Sequence, residues 1–262
     1  MIKKVFLALF RSFTITPFHK GYEHAQKGNY EKSITFYEKA IKNYPNPAGA
    51  YNNCGVCRAA LGNHAAAIED YNKAMEHKKK YADAYSNRGI SKMALGETAT
   101  ALEDYLKAIE IAPKHAVARL NIGVQKALQK LHQEAITEFN TALKVKPKYA
   151  NAYRHRALSK VALKDLDGAL SDYKKAIKLN KNAAEVFNDR GLLHLELKAY
   201  KKAIKDFTKA IRNQQKNGLA YYNRGIAKLQ LKRSKSALRD FKRAHKYGFT
   251  KAQVVLESLN QA

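Results

Sequence analysis

The chain repeats itself every 34 residues, seven times over, with no insertion or deletion between copies. A 34-slot ruler laid on Thr14, Ala48, Ala82, Ala116, Ala150, Ala184 and Gly218 divides it into 14–47, 48–81, 82–115, 116–149, 150–183, 184–217 and 218–251. Slot 8 then reads Gly21, Gly55, Gly89, Gly123, Ala157, Gly191, Gly225, and slot 20 is Ser33 followed by alanine six times, Ala67 to Ala237. Slot 24 is always aromatic: Tyr37, Tyr71, Tyr105, Phe139, Tyr173, Phe207, Phe241. Slot 27 is alanine throughout, from Ala40 to Ala244. A unit of this size cannot enclose a core alone, so each copy must bury its apolar face on its neighbours. Small residues at fixed slots let two helices approach closely, and the aromatic ring fills the space beside them.

Each window predicts two helices. Helix A is expected over slots 1–14, as in Ala82–Leu95, where Tyr85, Gly89 and Met93 follow at four-residue steps. A turn is expected at slots 15–17 and helix B over slots 18–31. Slot 15 is Gly28, Gly62 and Gly96 in the first three windows, and Lys130, Lys164, Lys198 and Lys232 in the last four. Glycine is the easier residue after a helix because it tolerates positive φ. Pro45, Pro113 and Pro147 stand at slot 32 and would close helix B in windows 1, 3 and 4. Beyond the ruler, residues 252–262 place Ala252, Val255, Leu256 and Leu259 on one face, as a C-terminal capping helix would. Residues 1–13 are basic and amphipathic, with Ile2, Val5, Phe6, Leu9, Phe10 and Phe13 on one helical face. A capping helix, a membrane-surface element and an export signal all stay open for them, although the apolar run Val5–Phe10 is short for the last.

Charge is distributed unevenly. The net charge is +27, but the first three windows carry only +2, +2 and −1, and the last four +4, +5, +4 and +9. Window 7 holds ten Lys and Arg against Asp240 alone. Such a field attracts polyanions, acidic proteins or an anionic membrane. Two cysteines, Cys54 and Cys57, are too few for a disulfide framework and favour a reducing compartment. No stretch reaches the ~20 apolar residues that span a bilayer. A cytoplasmic location is therefore expected, with membrane association or export left open through residues 1–13.

The slots that recur together are an aromatic at slot 4 (Tyr51, Tyr85, Tyr153, Phe187, Tyr221), Gly or Ala at 8, Ala at 20, an aromatic at 24, Ala at 27 and Pro at 32. This pattern resembles the tetratricopeptide repeat (TPR) family over Thr14–Lys251. The resemblance implies an all-α, right-handed superhelical solenoid of seven helix hairpins with short capping helices at both ends. Its concave face would be lined by helix A and would bind peptides or proteins. Two slots depart from the family: slot 4 is Pro17 and Arg119 in windows 1 and 4, and slot 11 is basic throughout (His24, Arg58, Lys92, Lys126, Lys160, His194, Lys228). Long basic stems can cover apolar surface while the charged head stays wet.

Three constellations stand out. Arginines at slot 7 and acids at slot 23 leave fewest mismatches when each acid is matched to the next window. The expected inter-repeat ion pairs are thus Asp70–Arg88, Glu138–Arg156, Asp172–Arg190 and Asp206–Arg224, whose work would be to fix stacking. By the family's geometry, slot 6 (Asn53, Asn87, Asn121, Asn223) faces the groove beside an apolar slot 9 (Val56, Ile90, Val124, Leu158, Leu192). Amides can pair with a peptide backbone of any sequence, or they can simply be common at that slot. Finally, Lys232, Arg233, Lys235, Arg239, Lys242 and Arg243 form a basic surface, expected on the outer side, that is either an anion-binding site or a solvated lysine-rich face.

Nothing points to chemistry. Cys54 and Cys57 lie mid-helix without the further ligands a zinc site needs, and no histidine pair has HExxH spacing. The expectation is a non-enzyme with no cofactor, no metal and no small-molecule substrate. Its groove would hold an extended peptide or partner protein. The alternative is binding of nucleic acid or anionic membrane through windows 5–7.

Overall fold

A computed structural model describes residues 16–260, so residues 1–13 and the expectations placed on them lie outside the described residues. The described residues form fifteen α-helices: α1 Pro17–Gln26, α2 Tyr30–Asn43, α3 Ala48–Ala60, α4 His64–His77, α5 Ala82–Ala94, α6 Thr98–Ile111, α7 Ala116–Leu128, α8 His132–Val145, α9 Ala150–Ala162, α10 Leu166–Leu179, α11 Ala184–Glu196, α12 Tyr200–Asn213, α13 Gly218–Gln230, α14 Ser234–Lys246 and α15 Lys251–Asn260. No strand occurs among the described residues. Odd-numbered helices up to α13 are the A helices and even-numbered ones the B helices. Contacts group the chain into two compact units, Met1–Ile122 and Gly123–Ala262, divided within α7.

Helix A ends one slot earlier than its spacing predicts, and helix B begins one slot earlier. The slot-15 residue is the cause. Gly28, Gly62 and Gly96 have φ of 75°, 84° and 84°, and Lys130, Lys164, Lys198 and Lys232 have φ of 64°, 63°, 56° and 57°. The slot-16 N–H then reaches back to the slot-11 carbonyl, as in Asn63 to Arg58 and Leu131 to Lys126, both at 2.9 Å. This reversal satisfies carbonyls that the helix end leaves orphaned. Helix B stops at slot 30 in windows 2, 5 and 6 as in windows 1, 3 and 4, so proline is dispensable for the boundary.

The core follows the ruler. Slot-24 rings are at most 1 % exposed, and every residue of slots 20 and 27 is fully buried. A Cβ on Gly55 would come within 2.6 Å of the Tyr71 ring, so slot 8 is small because that ring lies against the helix A backbone. In the first unit Ala101, Tyr105 and Ala108 pack with Ala118 and Ile122. In the second, Ala252 of α15 packs into a cluster with Ala220, Tyr221 and Ala244. Successive A helices also touch within each unit: α3 with α5, α9 with α11, α11 with α13.

Candidate functional site

The acids of slot 23 sit on helix B facing the helix A of their own hairpin. Arg88 grips Asp104 with two bonds, Nε to Oδ2 at 2.9 Å and Nη2 to Oδ1 at 2.6 Å. Arg156 holds Asp172, Arg190 holds Asp206 and Arg224 holds Asp240 in the same bidentate way. The inter-repeat scheme Asp70–Arg88, Glu138–Arg156, Asp172–Arg190, Asp206–Arg224 is therefore corrected to pairing within each hairpin. Slots 7 and 11 lie one helical turn apart on helix A, so both reach one carboxylate. Lys92 completes Asp104 at 2.9 Å, Lys160 Asp172 at 3.0 Å, His194 Asp206 at 3.0 Å and Lys228 Asp240 at 2.7 Å. Where slot 7 is Cys54 or Ile122, the slot-11 cation serves the acid: Arg58 pairs with Asp70, and Lys126 with Glu138 at 3.3 Å. Where the acid is Phe36, His24 stacks on its ring at 5.2 Å.

The arginines still link neighbours, through slot 25. Arg88 donates to Asn72 and Arg156 to Asn140, both at 2.6 Å, and Arg224 donates to Thr208 at 3.1 Å. Burial outweighs Arg58 at Asp70 and holds that carboxyl above its ordinary range.

In three windows slot 6 turns toward slot 5 of the preceding window. Asn87 donates to Asn52 and Asn223 to Asn188, both at 3.1 Å, and Arg154 donates to Asp189 at 2.6 Å. Asn53 accepts from Asn52 at 3.2 Å, and the Asn121 amide nitrogen is buried. His155, also at slot 6, is pushed down to about 4 by burial and by Arg154. Slot 9 behaves oppositely. Tyr22, Val56 and Ile90 in the first unit, and Leu158 and Leu192 in the second, stay 38–51 % exposed. Val124 and Ile226 are half-buried. In each unit an apolar row thus stands open beside slot-6 side chains of which several are already engaged, Asn53 and Asn87 in the first unit and Asp189 and Asn223 in the second.

The basic residues fall elsewhere. Lys232, Arg233, Lys235 and Arg239 line a cavity of about 470 Å³ at the A-to-B turn of the last hairpin. Lys242 is exposed on α14, and Arg243 lies over the Tyr221 ring at 5.7 Å. The thiols are buried: Cys57 donates to the Ser33 hydroxyl at 3.3 Å, and burial first, then Asp70, pushes Cys54 up to about 12. Among the described residues, no cluster of three or more His, Cys, Asp or Glu could hold a metal, and no helix is long and apolar enough to cross a membrane.

What the sequence reading missed is the slot 11–slot 23 complement and the slot 5–slot 6 bonds. The first signal was present: six of seven windows place a base at 11 and an acid at 23. The second has almost none, because slot 5 holds Asn52, Ser86, Arg154 and Asn188 without a common chemistry.

Known proteins fit this geometry. Family models described as tetratricopeptide repeat match residues 82–115, and residues 18–85 and 189–248; one described as TPR repeat matches 158–198. No curated protein matches the sequence. Among solved structures, the APC/C hetero-tetramer Cut9-Hcn1 aligns at TM-score 0.81 and 14 % identity, over 94 % of this chain and 49 % of that one. The chain thus spans about half the length of that relative. A tetratricopeptide repeat protein from Parabacteroides merdae ATCC 43184 aligns at TM-score 0.65 and 22 % identity, over 92 % and 96 %. YrrB, described as a TPR protein with an unusual peptide-binding site, aligns at 0.54 and 23 %, over 69 % and 93 %. Identities this low speak for the fold alone, a fold used in general as a scaffold for protein–protein contacts. With the family matches running over 18–115 and 158–248 and the hairpins in register with them, the chain belongs to the tetratricopeptide repeat family.

Proposed function

We propose that this protein is a non-enzymatic scaffold, built from the seven repeats of residues 14–251, that binds an extended peptide segment along the inner face of its A helices. The observation that carries the reading is the slot-9 row. Large apolar side chains recur there at fixed spacing, and Tyr22, Val56, Ile90, Leu158 and Leu192 remain open while the slot-24 rings of the same hairpins are buried. An extended chain could lay alternate side chains on such a row, while the side-chain carbonyl oxygen of Asn87, whose amide nitrogen is spent on Asn52, accepts from its backbone. The solved YrrB structure, with its peptide-binding site, is a fold-level parallel. Nearby charges are largely paired, Asp189 with Arg154 and Asp83 with His115 at 2.9 Å, so affinity would rest on apolar contact and survive salt.

The test is to pan a random peptide library on the full chain at about 0.5 M salt, where exposed charge attraction is screened within a few ångströms. An enriched peptide should lose about tenfold or more in affinity against Val56→Ser plus Ile90→Ser, or Leu158→Ser plus Leu192→Ser. Asn87→Ala plus Asn121→Ala should weaken it less and lower stability. No enrichment, or affinity untouched by the slot-9 changes, overturns the reading.

A further inference from the structure

A second surface lies on the edge where helix A turns into helix B. In the second unit, consecutive turns sit side by side: a cavity of about 330 Å³ is lined by Lys198, Ala199, Tyr200, Lys201 and Lys202 together with Leu231 of the next repeat. The cavity of about 470 Å³ lined by Lys232, Arg233, Lys235 and Arg239 follows it. All seven cations are exposed, and no ion pair or side-chain hydrogen bond holds any of them among the described residues. The acid within slots 13–22 of these two repeats, Glu196, is already held by Lys164 of the preceding turn at 2.8 Å. The ladder cations inside the hairpins are neutralised; these are surplus.

Apolar side chains are interleaved with that charge. Leu163 and Leu197 are exposed, each directly before a turn lysine, and exposed Leu128 and Leu131 flank Lys130. Lys198 and Lys232 hold φ of 56° and 57° where the first three repeats use glycine. Glycine adopts this conformation with less strain, so lysine stands here against local backbone preference.

We propose that this turn edge docks on the surface of an anionic lipid bilayer. Leucines would enter the headgroup boundary, Tyr200 would sit at the interface, and lysine stems would lie along the apolar layer with their ammonium groups on lipid phosphates. The breadth of the strip, two open cavities spread over adjacent turns, fits a surface better than a single phosphate. Protruding leucines find apolar partners in a bilayer and none along a nucleic-acid backbone. The inner face of the A helices plays no part, so peptide binding and docking are separable.

The test is cosedimentation of the full chain with phosphatidylcholine vesicles containing about 30 % phosphatidylserine, and with phosphatidylcholine alone, at about 0.1 M salt. Binding is expected to the anionic vesicles only. Lys198→Gly plus Lys232→Gly should weaken it about tenfold while leaving the melting temperature at or above the parent's, which separates charge loss from misfolding. Adding Lys201→Gln, Lys202→Gln, Lys235→Gln and Arg239→Gln should weaken it by roughly a hundredfold or more. Leu163→Ser plus Leu197→Ser should reduce vesicle binding several-fold and leave retention on a duplex RNA unchanged. Equal binding to neutral vesicles, binding untouched by the six charge changes, or RNA binding tighter than vesicle binding would each overturn the proposal.

Discussion

The first three hairpins and the last four end helix A in the same backbone shape with different residues. Gly28, Gly62 and Gly96 occupy the left-handed position in the first set, and Lys130, Lys164, Lys198 and Lys232 in the second. The ladder differs too. Of the first three repeats, one has the complete arginine–acid–base rung, at Asp104; of the last four, three do, at Asp172, Asp206 and Asp240. The C-terminal repeats therefore combine more internal charge pairing with more unpaired surface charge. Charge inside the hairpin fixes how two helices meet, and charge at the turn is left for something outside. A single net figure of +27 conceals that division.

The sharpest way to break the comparison is to remove a complete rung and an incomplete one. Asp172 is 1 % exposed and takes both Arg156 and Lys160. Asp172→Ala leaves two cations facing an apolar core and should cost about 3–5 kcal/mol. Asp70 has Arg58 alone from its own hairpin, and Arg58 can still turn to Glu38 at 3.0 Å. Asp70→Ala should therefore cost less, about 1–2 kcal/mol. Urea unfolding followed by circular dichroism measures both. Equal losses would mean that the second cation adds nothing.

Acid should strike the second set of repeats harder. Slot 6 of the first set is the exposed His19 and then the amides Asn53 and Asn87, whereas in the fifth repeat it is the half-buried His155. Burial and Arg154 lower that imidazole to about 4, against 6.5 for a free one. The unfolded chain thus binds the proton first, and stability present above about pH 6.5 drains away as pH falls toward 4. The loss from this group is roughly 3 kcal/mol at most. His194, lowered chiefly by burial, acts with the same sign. Asp189, raised by burial, opposes them only lower, in the carboxylate range. His155→Asn should flatten the urea midpoint between pH 4.5 and 6.5, a window set by the two protonation constants. An unchanged slope would remove His155 from the account.

Much of this architecture was legible because packing demands it at fixed spacing. Ala40 to Ala244 and Tyr37 to Phe241 recur because an A and a B helix meet there in every hairpin, and a larger or smaller residue would clash or leave a void. The partner of each acid was less legible. Counting complementary charges between slots 7 and 23 favours Asp70–Arg88, yet the carboxylate is chosen by which helix face it looks at, and Arg58 stands opposite. The groove was half legible. Asn87 and Val56 both belong to the A-helix face, but only coordinates show that the Asn87 amide is spent on Asn52 while Val56 stays open. Composition cannot distinguish a side chain that reaches outward from one that reaches to its neighbour.

The smallest effect tests the turn itself. At slot 15 a lysine and a glycine hold nearly the same φ, 63° at Lys164 and 84° at Gly62. A residue with a Cβ is disfavoured there by about 1 kcal/mol, partly offset because glycine loses more entropy on folding. Lys130→Gly should therefore stabilise by about 0.5–1 kcal/mol, and Gly62→Lys should destabilise by a similar amount. Lys164 is the informative exception, because it also bonds Glu196 of the next turn at 2.8 Å. That pair is exposed and contributes little, at most a few tenths of a kcal/mol, so Lys164→Gly should gain slightly less than Lys130→Gly. If all four lysines can become glycine with a summed rise in melting temperature, folding alone does not explain their presence. A fall instead would mean that the lysine side chains hold the turn in a way the ion pairs do not reveal, and the contrast between the two sets of hairpins would be one of stability rather than of surface.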